Sequence, residues 1–382
     1  MSYRPSVSID QPSRENRVTT ALTVNGLAIE PGVSGDLRIV EMTLPPLGPN
    51  DVRIGVLEAG ICGTDREIIH GQFGYPPEGE RMLVLGHEAI GAVQAVGSEV
   101  EGLEVGDLVT ATVRRACGCP NCQAGESDYC TWMEFTERGI RGAQGFWTDA
   151  YVEDAAFVLK VPNSLRKVGV MVEPASVIEK AWRVASAVQQ RFPVWEPKTA
   201  VVFGAGPIGI LQAMLLRQHG MDVTVVARRP SSQAPAAPIL DAIGATYVSN
   251  QEIDPRSLKD ALPNIDVIVE ASGASDSVLA SMEILGNAGV LVLLSNTGGS
   301  QEVTVPMDRI NVGWVGGNKT MVGSVNSSVA DFEAAIRDMQ VWEEMWPGAM
   351  EQMFTHRIAG LANATDLMES TKGAIKAVIE IG

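Results

Sequence analysis

Ala200-Val-Val-Phe-Gly-Ala-Gly-Pro-Ile-Gly209 is followed by the segment Ile210-Leu-Gln-Ala-Met-Leu-Leu-Arg-Gln-His219. The first residues form a short apolar run, which is typical of a buried strand, and three glycines spaced as G-x-G-x-x-G come directly after it. The apolar segment from Pro207 to His219 predicts a helix. Strand, glycine turn and helix in this order predict the place where a parallel sheet binds the pyrophosphate of a dinucleotide.

Each residue of the glycine turn has its own predicted task in such a site. Gly204 makes the turn, Gly206 lets the pyrophosphate approach the backbone, and Gly209 lets the helix pack closely on the strand. Pro207 and Ile208 open the helix, whose unpaired N–H groups face the phosphates. The alternative is a plain glycine turn without a ligand, and the alternating elements further along the chain argue against it.

Strand and helix signals alternate downstream of the turn. The predicted elements are the strands Asp222–Ala227, Asp266–Glu270 and Gly289–Leu294 and the helices Ala237–Ile243 and Ser277–Leu285. This alternation indicates a parallel sheet with crossover helices. We therefore predict an α/β protein with a Rossmann, doubly wound domain over residues 186–319.

The second predicted strand ends in Ala227-Arg228-Arg229-Pro230. An NAD site usually carries Asp or Glu at this position, where it binds the ribose 2′-hydroxyl. Arg228 and Arg229 instead suit a 2′-phosphate, by charge and by planar stacking. We predict NADP as the cofactor, with NAD possible, and the alternative is that both arginines are solvated surface residues.

The remaining chain predicts a second, β-rich domain. Short apolar runs alternate there with glycine and proline turns, which is typical of a partly barrel-like form. We expect this domain to span residues 19–185 and to be completed by residues 320–382, which end in a predicted strand, Ala374–Ile381. Residues 1–18 are polar and irregular, and we expect a loose extension there.

Four of the five cysteines lie within fourteen residues, at Cys117, Cys119, Cys122 and Cys130. Four thiolates are the closed ligand set of a structural zinc, whereas a secreted protein would form two disulfides from them. The N-terminus has no apolar segment of the kind that opens a signal peptide. We therefore expect a cytoplasmic protein with a structural zinc.

The fifth cysteine, Cys62, stands apart from these four and shortly before His87 and Glu88 in the chain. It belongs to a different predicted site. Cysteine, histidine and glutamate together form the mixed set of a catalytic zinc, with a position left for water or substrate. Thr64 can pass a proton from a substrate hydroxyl to solvent. The alternatives are a buried apolar cysteine, a core histidine, a surface glutamate and a turn threonine.

A further carboxylate, Glu173, stands before Pro174. The residue before a proline is biased toward an extended conformation, so we expect Glu173 to lie outside a helix and to point into a cleft as a zinc or substrate ligand. Glu179 and Lys180 begin the following predicted helix, and we expect them to make surface pairs.

Composition excludes several classes of partner. The chain has 382 residues and a formal net charge of −17, which argues against binding to nucleic acid and to anionic membranes. No apolar run approaches the length of a membrane span. The expected partner is a small molecule.

These residues together resemble the zinc-containing medium-chain dehydrogenases, and within them the NADP-linked glucose dehydrogenase branch. The resemblance covers nearly the whole chain after the first 20 or so residues. It is carried by Cys62-Gly-Thr-Asp65-Arg66-Glu67, Gly86-His-Glu88, Val113-Arg-Arg115, Glu137-Arg-Gly-Ile140, Gly145-Phe146, Val172-Glu-Pro174, Glu179-Lys180, Arg228-Arg229-Pro230, Asn318-Lys319 and Gly323-Ser-Val325-Asn326. One departure is the cysteine spacing C-x-C-x2-C-x7-C, because the family usually has two residues between the first two cysteines.

The resemblance implies a GroES-like catalytic domain, a homo-oligomer (dimer or tetramer) and oxidation of an aldose, D-glucose above all, to an aldonolactone. It places Cys62, His87, Glu88 and Glu173 around the catalytic zinc, and Cys62, His87 and Thr64 as catalytic residues. Glu137 and Asn326 match positions that touch sugar hydroxyls or the nicotinamide end, so the predicted substrate contacts are Thr64, Glu137, Glu173 and Asn326. Two alternatives remain: a dehydrogenase of other polyols or secondary alcohols, and a non-catalytic NADP-binding redox sensor with purely structural zinc.

Overall fold

The protein is described by a computed structural model that covers residues 22–33, 36–296 and 300–382. The loose extension expected over residues 1–18 lies outside these ranges. Within them, no helix combines the length and the apolar content that crossing a bilayer requires.

The strands and helices follow in chain order. The strands are β1 (Thr23–Ile29), β2 (Arg38–Thr43), β3 (Asp51–Ile61), β4 (Leu83–Val84), β5 (Ala89–Val96), β6 (Leu108–Ala111), β7 (Arg114–Arg115), β8 (Thr136–Arg138), β9 (Gly142–Ala143), β10 (Ala150–Asp154), β11 (Val158–Lys160), β12 (Thr199–Phe203), β13 (Asp222–Ala227), β14 (Thr246–Ser249), β15 (Val267–Glu270), β16 (Val290–Leu293), β17 (Thr320–Gly323), β18 (Phe354–Ala359) and β19 (Lys376–Glu380). The helices are α1 (Gly63–Ile69), α2 (Pro120–Gln123), α3 (Val172–Gln189), α4 (Pro207–Gln218), α5 (Ala237–Ala242), α6 (Leu258–Ala261), α7 (Ser275–Ile284), α8 (Met307–Gly317), α9 (Val329–Met345) and α10 (Leu367–Ser370).

The β-rich part is built on a seven-stranded sheet with the order β11-β6-β5-β3-β19-β18, to which β10 is added at β3. The long central strand β3 changes register twice against β5, and such bulges bend a strand and let a sheet curl toward a barrel. Strands β18 and β19 come from the end of the chain, so the C-terminal residues complete this sheet. The predicted fold class is confirmed for this part of the chain.

The Rossmann part is a six-stranded sheet with the order β14-β13-β12-β15-β16-β17, and every described pairing in it is parallel. Connections run outward from β12 in both directions, so the point where the strand order reverses lies beside β12. The glycine turn follows this strand directly. The sheet also runs on to Gly323, past the boundary at 319 that the sequence suggested, because β17 pairs with β16.

Helix α3 joins the two parts, and two of its residues contradict the prediction that they make surface pairs. It runs to Gln189, through the expected boundary at 185, and packs against α4 and α9. Glu179 and Lys180 do not make surface pairs, because both side chains are buried there. Neighbouring helices cover the side of α3 that the sequence alone leaves undefined.

Glu179 is a buried carboxylate without a compensating charge. Its Oε1 atom has no hydrogen-bond partner among the described residues. Burial raises the pKa of Glu179 to about 9, and the neighbouring carboxylate of Asp338 adds to the shift. In the folded protein this side chain is therefore protonated at neutral pH.

We expect Glu179→Gln to stabilise the protein in the alkaline range. The unfolded chain releases the Glu179 proton near pH 4.5, whereas the folded chain keeps it up to about pH 9, so the wild type loses stability as the pH rises between these values. An amide does not ionise, so the variant should unfold at nearly the wild-type temperature at pH 5 and gain on the order of 4 kcal/mol by pH 8.

Thermal unfolding at pH 5 and pH 8 measures this difference. Glu344→Gln is the matched control, because it makes the same substitution at an exposed position of α9. Equal shifts of the unfolding temperature at the two pH values would contradict the prediction.

Candidate functional site

Two strand ends and one helix start bring the first cluster together. The ligand atoms of Cys62, His87 and Glu88 all lie within 4.8 Å of one another. Cys62 follows β3 and caps α1, while His87 and Glu88 directly precede β5. Because β3 and β5 are neighbours in the sheet, the ends of these two strands carry the three side chains to one place.

Asp65 holds the residues of this cluster in place, although it was not among the site residues predicted from the sequence. Its carboxylate is fully buried, and it accepts hydrogen bonds from the backbone N–H groups of Cys62 (2.8 Å) and Gly86 (3.3 Å). Its Oδ1 atom lies 3.4 Å from Nδ1 of His87, close enough to attract a proton there but long for a hydrogen bond. Burial is the largest single effect and lowers the pKa of His87, but the charges and hydrogen bonds of Asp65 and Cys62 together outweigh it, so the pKa is raised. A carboxylate behind Nδ1 leaves Nε2 as the ligand atom.

Glu88 is fixed from the opposite side by the end of the chain. Its Oε2 atom forms an ion pair with Lys376, and both side chains are nearly inaccessible to solvent. Lys376 also donates to the carbonyl of Ile61. A Cβ atom at Gly60 would overlap the Glu88 carboxylate, so the close approach requires glycine.

Glu173 lies beside the cluster, but in a conformation that contradicts the prediction. It is in the first turn of α3 rather than extended. Proline is tolerated in the first turn of a helix, where its missing N–H would have no partner, so Pro174 does not exclude Glu173 from the helix. Burial raises the pKa of Glu173 to about 7, His87 opposes the shift, and Glu88 adds to it. The carboxylate of Glu173 does not belong to the ligand atoms of Cys62, His87 and Glu88 that lie within 4.8 Å of one another. It is nevertheless close enough for its charge to interact with those of His87 and Glu88.

The donor set fits a zinc ion. Besides the thiol and the imidazole, the buried surroundings hold three carboxylates, at Asp65, Glu88 and Glu173, against one ammonium group at Lys376. Buried negative charge is costly unless a cation compensates it. Three or four protein ligands would hold the ion and leave a position for an oxygen of substrate. Thr64 lies half-buried in the first turn of α1, two residues after Cys62.

The second cluster consists of the four other cysteines. Their Sγ atoms all lie within 4.8 Å of one another, with Cys117 at 3.3 Å from Cys130 and 3.8 Å from Cys122. Zn–S bonds of about 2.3 Å in a tetrahedron place sulfurs about 3.8 Å apart. These distances fit a zinc, and all the thiols are free of disulfides.

A glycine explains how the shortened spacing still delivers four thiols. Gly118 has φ +94°, a backbone conformation that L side chains rarely adopt, so the chain turns back within one residue between Cys117 and Cys119. A hydrogen bond from the backbone N–H of Cys122 lowers the pKa of Cys119 to about 5. A thiolate is the form that binds metal.

The predicted substrate residues Glu137 and Asn326 come together, although they are far apart in sequence. Nδ2 of Asn326 donates to Oε1 of Glu137 at 2.7 Å. Arg114 donates to the same oxygen through Nε (3.0 Å) and Nη2 (2.9 Å). The other carboxylate oxygen of Glu137 makes no hydrogen bond to any described residue, so it is available to a ligand.

Three of the predicted nucleotide-binding residues line one cleft at the carboxyl ends of β12 and β13. It is lined by Gly206, Arg228, Arg229 and Tyr247, and by residues 373–375 from the catalytic domain. A Cβ atom at Gly206 would meet nothing within 4 Å, whereas one at Gly209 would overlap the carbonyl of Gly204. Gly206 therefore borders open space above the N-terminus of α4, and Gly209 is needed for packing, as the motif predicts. Pro207 and Ile208 open that helix.

Arg228 and Arg229 are exposed, and neither forms an ion pair with a carboxylate of the described residues. Their backbone carbonyls accept hydrogen bonds from Ser249 and Tyr247, which hold the loop. Two free guanidinium groups beside the glycine turn fit the 2′-phosphate of NADP.

Asp65 and Lys376 are the site residues that sequence reasoning missed. The spacing Cys62-x-x-Asp65 at a helix start could have indicated Asp65, because it forms a capping box there. Lys376 has no such signal, since its partner lies 288 positions away in the chain.

Two family profiles match consecutive parts of this chain, and full-length relatives cover most of it. The profile "Alcohol dehydrogenase GroES-like domain" matches residues 48–163, and the profile "Glucose dehydrogenase C-terminus" matches residues 166–381. Glucose 1-dehydrogenase of Methanocella arvoryzae is 36% identical over 93% of this chain and 99% of its own. Glucose 1-dehydrogenase of Haloarcula marismortui is 33% identical over 90% and 95%.

Solved structures agree with these relatives. Glucose dehydrogenase of Haloferax mediterranei, in complex with NADP, Zn and gluconolactone, superposes with a TM-score of 0.84 at 30% identity, over 94% of this chain and 99% of that one. Galactitol-1-phosphate dehydrogenase of Escherichia coli, at 22% identity and a TM-score of 0.77 over 93% and 99%, shares the fold. The chain therefore belongs to the glucose dehydrogenase family of the zinc-containing medium-chain dehydrogenases.

Proposed function

We propose that this protein is a zinc-dependent dehydrogenase that oxidises the C1 hydroxyl of an aldose, D-glucose above all, with NADP⁺, and releases an aldonolactone. The observation that carries the proposal is the pairing of two sites in one chain. The β-rich domain holds the cluster of Cys62, His87 and Glu88, and the Rossmann domain holds a cleft where the glycine turn and two unpaired arginines, Arg228 and Arg229, meet. Relatives named glucose 1-dehydrogenase align with nearly its whole length.

Cys62, His87 and Glu88 would hold the catalytic zinc, with Glu173 as a further ligand or as a ligand of substrate. Once bound, zinc makes the C1 hydroxyl more acidic as a Lewis acid, and the nicotinamide ring accepts the hydride from C1. Asp65 keeps the His87 ring oriented through Nδ1. Thr64 takes the proton of the C1 hydroxyl and passes it to solvent.

Glu137 and Asn326 select and orient the sugar. The free oxygen of Glu137 accepts a hydrogen bond from a sugar hydroxyl, while Asn326 and Arg114 hold the other oxygen. A site that binds hydroxyl groups in this way rejects analogues that lack them, because its buried polar groups would be left unpaired. This preference separates an aldose dehydrogenase from one that acts on simple alcohols.

The protein also presents a surface suited to a second copy of itself. Strand β17 is the edge of the Rossmann sheet, and its Met321 side chain is 43% exposed. Val312 and Val315 on the adjacent α8 are each 72% exposed. An exposed apolar edge strand is a template for pairing with an identical strand, so we propose that the chain forms a dimer here, alone or within a tetramer.

We place the protein in the cytoplasm. All five cysteines are free thiols, and both clusters to which they belong require reduced sulfur to hold metal.

Replacing Arg228 and Arg229 with Ala should weaken NADP⁺ binding far more than NAD⁺ binding. Each charge-assisted bond to phosphate contributes about 1.5–3 kcal/mol, so the dissociation constant of NADPH should rise at least about tenfold. Titration of NADPH fluorescence and kcat/KM for both cofactors measure this. Arg309→Ala, an exposed arginine outside the cleft, should change neither value, and an unaltered NADP⁺/NAD⁺ ratio in the double variant would refute the assignment.

The cysteine cluster should account for one of two zincs per chain. Elemental analysis should find two in the wild type and one in Cys122→Ser, with a lower unfolding temperature because binding energy at a closed site is folding energy. Cys62→Ser should also lose one zinc, but with less effect on unfolding. A single zinc in both the wild type and Cys122→Ser would show that the shortened spacing does not bind metal.

His87→Ala should abolish oxidation of D-glucose and leave NADP⁺ binding within about twofold, because the nucleotide site is on the other domain. His356→Ala, on the outer strand β18, is the control and should remain active. Retention of full activity by His87→Ala would exclude the cluster as the reaction centre. Reduction of NADP⁺ with simple alcohols but with no aldose would exclude the sugar substrate.

A further inference from the structure

The cysteine cluster carries a turn that reaches into the domain interface. Residues 127–129 form this turn between Cys122 and Cys130, and Asp128 within it is buried. The Asp128 carboxylate forms ion pairs with Lys180 at 2.5 Å and with Arg183 at 3.2 Å. The turn is therefore anchored to helix α3 by two cations.

Lys180 connects this turn to the loop that ends in Asn326. Its side chain is 2% exposed, and its ammonium group lies 4.1 Å from the ring centroid of Tyr129. Besides Asp128 it donates to the carbonyl of Val325 at 3.1 Å. One buried cation thus joins the segment of residues 117–130, called the cysteine lobe below, to the residue immediately before Asn326.

Arg114 makes a parallel connection to Glu137. Its Nη1 atom donates to the carbonyls of Asp128 (3.3 Å) and Ser127 (3.4 Å), while Nε and Nη2 bind Oε1 of Glu137. Its guanidinium group lies 3.7 Å from the ring centroid of Phe135, which fixes its plane. The same turn is therefore linked to both members of the Glu137–Asn326 pair.

The loop at Asn326 needs such support. Asn326 has φ +59°, in the left-handed region that non-glycine residues seldom occupy, and its Oδ1 atom accepts from the backbone N–H of Ser327. The hydroxyl groups of Ser176 and Ser327 lie 2.6 Å apart, so α3 contacts this loop one helical turn before Lys180 as well. Contacts on both sides of Asn326 hold its unusual backbone and aim Nδ2 at Glu137.

We propose that Lys180 and Arg114 are positioning residues, which transmit the location of the cysteine lobe to the Glu137–Asn326 pair and so set the affinity for the sugar. The inference rests on the proposed function, because it assigns the pair to substrate binding. Lys180 acts through Asn326, and Arg114 acts through Glu137. The cysteine lobe then serves the reaction as well as stability.

Lys180→Met tests the first half, with Lys180→Arg as the conservative variant and Arg183→Met as the matched control. Arg183 shares Asp128 with Lys180 but binds Asp331 and Glu126 rather than the loop at Asn326. Lys180→Met should raise KM for D-glucose about tenfold, the effect of one lost charge-assisted hydrogen bond, with a smaller change in kcat. Lys180→Arg should restore most of the affinity, and Arg183→Met should lower the unfolding temperature with KM within about twofold of wild type.

A double-mutant cycle with Asn326→Ala separates positioning from a general structural effect. If Lys180 acts through Asn326, Lys180→Met should change kcat/KM much less in the Asn326→Ala background than in the wild type. Additive effects, or an unchanged KM in Lys180→Met, would overturn the proposal. Arg114→Lys carries the same test through Glu137 if Lys180→Met fails to fold, because lysine cannot reach both Glu137 and the carbonyls of the turn.

Hydrogen exchange gives a readout that does not depend on activity. Amides of residues 324–327 should exchange faster in Lys180→Met and at the wild-type rate in Arg183→Met, whereas the Ser328 amide is left out because it donates to Asp331, a partner of Arg183. A wild type that oxidises no aldose would defeat the proposed function while the exchange data still decide whether Lys180 holds the loop. Unchanged exchange in Lys180→Met would overturn the positioning role whatever the substrate is.

Discussion

The pairing of β19 with β3 is the contact on which the site depends. Residues 377–380 lie opposite residues 61–58 in antiparallel register, so the last strand of the chain is inserted between β3 and the edge strand β18 of a sheet begun near its start. Lys376 enters this strand directly beside the end of β3 and reaches both Ile61 and Glu88. Without that strand, Glu88 would be a buried carboxylate with no partner, a situation that costs roughly 3–5 kcal/mol.

Charge is distributed over the molecule according to what each site binds. The chain is strongly acidic overall, and buried acids concentrate around the first cluster, where a cation would balance them. Arg228 and Arg229 are the opposite case, since they remain without acidic partners in an acidic protein and border open space at a helix N-terminus. A local positive potential within a negative surface directs an anionic cofactor to one cleft.

Helix α3 links these charges to one another. Glu173 in its first turn faces the cluster at His87, and Lys180, two turns later on the same side, binds the cysteine lobe and the loop at Asn326. Ser176 lies between them on that face and contacts Ser327. Because a helix is rigid over this distance of about 10 Å, the first cluster, the cysteine lobe and the Asn326 loop are held in a fixed relation.

Features that depend on local order along the chain could be predicted from the amino-acid sequence alone. The glycine turn, the alternation of strands and helices after it, and the ligand types at Cys62, His87 and the four clustered cysteines could all be read from neighbouring residues, since turns, periodicity and ligand spacing act over short separations. The family resemblance added Glu137 and Asn326, which no local pattern joins.

Packing of the whole chain determines which distant groups meet and which conformation forms where two local preferences compete. Glu173 is helical because a proline is tolerated in the first turn of α3, and the preference of the residue before proline for an extended conformation is overridden there. Lys180 is buried rather than exposed because Asp128 and the carbonyl of Val325 converge on it from other segments. Lys376 reaches Glu88 across 288 residues through strand pairing alone. Such contacts depend on packing and on compensation of buried charge, and these follow from the arrangement of the whole chain rather than from any single stretch of it.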